Sequence, residues 1–146
     1  MEHAMLTTLC WMAVLGAVAA QAQEQAPAAT GWVLVRSVSD QQGGTLDFVL
    51  VPKQRQRDGP NYTVAGAAVC GVRRACLVHF WTDRGDVPTD AWMAGRALSQ
   101  MTATYQRSPS HVAPVIRLAC WLYATKAEAE GANCFYLPGA EVPWGR

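Results

Sequence analysis

Five side chains are placed where they could do chemistry: His79, Trp81, Arg117, Trp121 and Tyr123. Residues 76–82 (CLVHFWT) and 115–123 (VIRLACWLY) are rich in β-branched and aromatic types and read as strands. Alternate residues of a strand face opposite sides. Cys76, Val78 and Phe80 share one side of the first; Leu77, His79 and Trp81 share the other. In the second, Ile116, Leu118, Cys120 and Leu122 form an apolar side opposite Val115, Arg117, Ala119, Trp121 and Tyr123. If the apolar sides meet a helix, the far side of the sheet collects the five.

Aromatic planes beside a guanidinium and an imidazole suit glycan stacking, or capture of an anion or peptide terminus. The competing expectation is a second buried layer, with Arg117 lying flat across a ring; the burial habit of large aromatics favours it. His79 alone could act as a general base, assisted by Asp83 or Arg117. No G-x-S-x-G motif accompanies it, and Ser110 beside His111 is not a catalytic signature, because triads assemble through space.

The remaining polar motifs read as structural. Asp83, Asp86 and Asp90 lack the alternate spacing and distal Glu of a calcium loop, and suit turns and a helix cap. Arg84-Gly85-Asp86 spells an adhesion tripeptide too short to carry weight. Arg55, Arg57, Arg73 and Arg74 form two short basic clusters typical of solvated loops. Asn61-Tyr62-Thr63 is a glycosylation sequon by formula.

Of five cysteines, Cys10 lies in an apolar leader, which leaves Cys70, Cys76, Cys120 and Cys134. An even number in an exported chain implies disulfides. Spacing selects Cys70 with Cys76, across a hairpin-sized link, and Cys120 with Cys134. Zinc motifs use tighter pairs, so no metal and no cofactor are expected.

The elements that must position these residues follow from the rest of the chain. Its 146 residues, 51% hydrophobic and 16% charged with a net charge of +1, suit one packed domain and argue against a nucleic-acid binder. Residues 5–20 are uncharged and apolar, and Ala20-Gln21-Ala22 fits a cleavage site. Residues 1–22 therefore read as a signal peptide, although no Lys or Arg precedes the apolar run. Residues 23–30 read as a disordered lead-in and 31–146 as a single α+β domain, secreted or periplasmic, with no membrane span after cleavage. Residues 32–38 and 45–51 read as a hairpin, 62–69 as a weaker strand in which Gly66 marks a bulge or close approach, and 134–137 as a short final strand. Residues 125–130 could form a helical turn. Ala94, Leu98, Met101 and Tyr105 fall on one face of a helix over about 89–106. The expectation is a small antiparallel sheet of five or six strands with that one long helix packed on one face, stapled by two disulfides. Its function is expected to be a binding or inhibitor-type module for a glycan, a peptide or another exported protein. The alternatives are a small secreted hydrolase using His79 and a structural protein of the cell envelope.

Overall fold

A computed structural model of the protein describes residues 31–39, 44–89 and 96–136. The signal peptide and lead-in expected over residues 1–30, and Asp90 as a cap, lie outside these. The fold is α+β, with a five-stranded sheet in the order β1-β2-β3-β4-β5.

Strands β1 (Val33–Ser39) and β2 (Thr45–Leu50) form the expected antiparallel hairpin. A register shift between Leu34 and Arg36 bulges edge strand β1, a device that protects an open edge from further pairing. Pro52 ends the run, and a 3-10 turn (Lys53–Arg55) leads to α1 (Gly59–Cys70). Here the structure corrects the sequence: residues 62–69 are helix, not strand. Asp58 caps α1 by accepting from the Asn61 N–H at 3.1 Å, Pro60 sits in its first turn, and Gly71 ends it at φ 53°. The sequon is thereby enclosed in a helix, with Asn61 buried.

The helix has a topological consequence. A crossover connection lets β3 (Cys76–Trp81) lie parallel to β2, so the sheet is mixed rather than antiparallel. Gly66 is the expected close approach: a Cβ there would meet Tyr105 Cγ at 2.3 Å.

The long helix expected over 89–106 is not confirmed, and its last part is corrected. Residues 90–95 lie outside the described set, α2 is described over Arg96–Ser99, and Ala103–Arg107 is strand β4, antiparallel to β3. Strand β5 (Val115–Leu118) pairs antiparallel with β4 but ends early, because Cys120–Leu122 turns into 3-10 geometry. Of the expected final strand, the described residues form one bridge, between Ala119 and Phe135. Residues Lys126–Gly131 form α3, started by a capping box of Thr125 and Glu128.

Both faces of the sheet are covered. On one, Val49, Val78, Phe80, Ala103 and Tyr105 pack under Tyr62 and Ala65 of α1, with Tyr62 edge-on to Phe80 at 5.0 Å. On the other, Phe48 and Trp81 stack with Val87 and Met101, bordered by Leu50, Leu98 and Phe135. The disulfides are Cys70–Cys76 and Cys120–Cys134. The first ties the end of α1 to the start of β3; the second ties the turn after β5 to the segment after α3.

Candidate functional site

The register places one lateral row across the sheet: Arg36, Phe48, His79, Thr104 and Arg117. This row lies on the far side, as strand parity requires. Its centre is buried and its β5 end is open. His79 is 6% exposed, and burial pushes its imidazole down to about 4, so the ring is neutral at pH 7. A ring that holds its proton so weakly is a poor general base at neutral pH. Trp81 is fully buried and donates its indole N–H to Ala97 O at 2.8 Å. The packed-layer alternative describes both.

Arg117 is exposed on β5, two strands from His79 and hence roughly 10 Å away. Trp121 is half-buried and donates to Met101 O at 3.2 Å, which ties it to the far-side core. Tyr123 is half-buried just past the 3-10 turn. The five residues thus divide: His79 and Trp81 lie inside the far layer, Trp121 rests on its border, and Arg117 and Tyr123 are on or near the surface. The Asp83 carboxylate accepts from Gly85 N in its own turn at 2.8 Å. His111 is exposed in a loop beside Ser110.

Two polar clusters bracket α1, and they differ in how fully they are bonded. At the C-terminal end Asp47 is completely buried and pairs with Arg73 at 2.9 Å. Ser37 also donates to that carboxylate, and Cys76 Sγ lies 3.5 Å from it. The Arg73 guanidinium reaches Thr45 Oγ1 at 2.6 Å, Cys70 O at 3.0 Å and the Val69 carbonyl. Arg73 therefore satisfies the last carbonyls of α1 while neutralising a buried charge.

The N-terminal end holds a pocket of about 310 Å³ lined by Trp32, Arg55, Asp58, Pro60, Asn61 and Val64. Two of its lining side chains carry buried donors with no partner among the described residues: Trp32 Nε1 and Asn61 Nδ2. Asn61 is 9% exposed, and its Oδ1 accepts from Arg55 Nη1 at 3.3 Å. Asp58 uses Oδ1 to cap the helix. Such donors are uncommon, since leaving one unmade costs about 1–3 kcal/mol. Sequence reasoning passed over this pocket: Trp32 reads as a strand residue, Asn61 as a sequon and Asp58 as part of a loop. The available signal was Asp58-Gly59-Pro60, a helix start that would have brought Asn61 into the first turn.

A second pocket of about 400 Å³ lies at the opposite end of the sheet, lined in part by Val38, Leu46, Leu77 and Gln106. Among the described residues, no group of three or more His, Cys, Asp or Glu could hold a metal ion, and no helix is long and apolar enough to cross a membrane.

No family model matches the chain, and neither a curated protein nor a solved structure matches it significantly.

Proposed function

We propose that the protein is an exported, disulfide-stabilised binding module whose ligand enters the pocket between the start of β1 and the first turn of α1. The observation that carries this reading is a pocket of about 310 Å³ two of whose lining residues, Trp32 and Asn61, each keep a buried donor without a partner among the described residues. A binding site left open in the free protein needs such unmet bonding capacity, and a core does not tolerate it readily. Export is supported by the two disulfides, which suit an oxidising compartment, and by the apolar leader. The burial of His79 weighs against the hydrolase reading, and that of Trp81 against a binding site at the centre of the far face of the sheet.

The test is amide and indole NMR of the oxidised protein in the presence of three small oxygen-bearing probes: glucose, acetate and N-methylacetamide. At least one should move the Trp32 indole N–H and the Asn61 side-chain amide signals together, leaving Trp121 unmoved. Shifts centred instead on Arg117, Trp121 and Tyr123 would restore the sheet-face site. No shift with any probe would leave the binding reading without support.

A further inference from the structure

We infer that the end of the domain built by two loops, residues 71–75 and 108–114, rests on an anionic phospholipid bilayer. This surface is separate from the pocket at the head of α1. Val72 stands in one loop and Val112 in the other, and both are fully exposed, at 100% and 110%. A single exposed apolar residue is ordinary, whereas two bare valines on adjoining loops beside arginines form a patch. The fold makes the loops neighbours. The first joins α1 to Cys76 of β3, the second joins β4 to β5, and Cys76 pairs with Arg107 in the sheet. Arg107 Nη1 then donates to Gly71 O at 2.7 Å and to Arg73 O at 3.2 Å, which ties loop to loop. The Cys70–Cys76 disulfide closes the first loop. In the second, between Arg107 and Pro114, the His111 N–H donates to Ser108 O at 3.1 Å. The valines are thus held out on constrained loops, and docking has little order left to impose.

Charge selects the partner. Neither loop contains an Asp or Glu. Arg74 is exposed, and Arg107 donates to neutral groups, the two carbonyls and the Tyr105 hydroxyl, which leave its charge uncancelled. Arg73 is balanced by Asp47. Residues 40–43, which join β1 to β2 at this end, lie outside the described residues and include one acid, Asp40. A second copy docked end to end would set Arg74 and Arg107 against their own counterparts, so the partner must be anionic. A bilayer fits better than an acidic protein. Protein hot spots are aromatic or arginine anchors that fill packed pockets, whereas these side chains are short, aliphatic and bare. Such tips can enter the boundary between headgroups and acyl chains while the arginines meet the phosphates. Unmet carbonyls would be costly there, but Val69, Cys70 and Gly71 O at the end of α1 already accept from Arg73 or Arg107. None of these bonds has to break on contact.

The experiment floats the oxidised protein with vesicles of phosphatidylcholine alone and of an equal mixture with phosphatidylglycerol. The mixed vesicles should be bound about tenfold more tightly or better, and the excess should shrink as salt rises. The apolar leader carries no Lys or Arg, so where present it binds both vesicles alike and the excess reports the domain. Val72→Asp and Val112→Asp should each weaken binding to the mixed vesicles about tenfold, through lost apolar burial. Both side chains are bare, so neither change strains the fold. Arg74→Glu should weaken it by a similar factor. Arg57→Glu makes the same change in net charge beyond the opposite end of α1, and should leave it intact. No excess for mixed vesicles overturns the proposal, and so does an excess that both Asp variants retain. An equal loss in Arg57→Glu also overturns it, because net charge alone would then be responsible. Retention on immobilised polyglutamate without binding to vesicles would assign the surface to an acidic protein, and the lipid assignment would fall.

Discussion

The two ends of α1 carry similar residue types and opposite bonding states. At the C-terminal end a buried carboxylate, an arginine and two helix carbonyls satisfy one another beside a disulfide. At the N-terminal end an arginine, an aspartate and an asparagine line a pocket, and two buried donors of its lining residues have no partner among the described residues. The first arrangement resembles a finished joint. Its groups gain most from the partners they already have, and a ligand could enter only by breaking them. The second keeps bonding capacity in reserve. Polar residues at a helix end therefore point to function only when their hydrogen bonds are left incomplete, and charge count alone does not distinguish the cases.

Breaking the finished end should have the largest effect. Arg73→Met leaves Asp47 buried without its cation, and should cost about 3–5 kcal/mol in urea unfolding. Replacing Asp47 with Asn in the same chain should recover a large part, since the uncompensated charge is then gone. Additive losses in the double variant would mean that the two residues do not act as a pair.

Acid tests the far layer, where His79 is buried. The unfolded imidazole takes a proton near 6.5, but the buried ring resists until about 4. Between these values the unfolded state binds more protons, so stability is full above 6.5 and falls as the pH drops towards 4. The loss should reach about 3 kcal/mol and level off below pH 4. Urea midpoints of the wild type should fall across this window relative to those of His79→Gln, because only the wild type has a buried imidazole to charge in acid. Parallel curves would place the acid sensitivity elsewhere.

Gly66→Ala probes the middle of α1, where the helix lies against β4. The added methyl would collide with the Tyr105 ring, so a loss of about 1–3 kcal/mol is expected, and thermal melts measure it. Ala68→Ser, on the exposed side of the same helix, should change little.

The smallest effect belongs to the open end. Asn61→Leu removes an unpartnered buried donor along with a weak bond from Arg55, so stability should stay within about 0.5 kcal/mol of wild type or rise. A loss above about 2 kcal/mol would show that Asn61 is part of the frame, and the contrast between the two ends of α1 would disappear.

The sequence by itself determined what depends on neighbours along the chain. The β1/β2 hairpin, the extent of β3 to within a residue, a helical turn expected at 125–130 and found at 126–131, and the side to which each β3 residue points follow from local composition and period-two alternation. Short loops between the cysteines fixed both disulfide pairings. Helix α1 escaped because residues 62–69 are small and apolar on every side and offer no 3.6-residue stripe, while Val64 and Val69 favour strand. Strand β4 escaped for the reverse reason: Leu98, Met101 and Tyr105 carry a helical spacing, but Ala103 and Tyr105 reach the core by alternating between β3 and β5. Only the tertiary structure decided that β2 and β3 run parallel, that His79 and Trp81 are enclosed, and that Trp32 meets Asn61 at one pocket. Each depends on groups far apart in the chain being brought together, and burial and unmet hydrogen bonds exist only once the whole fold has excluded water.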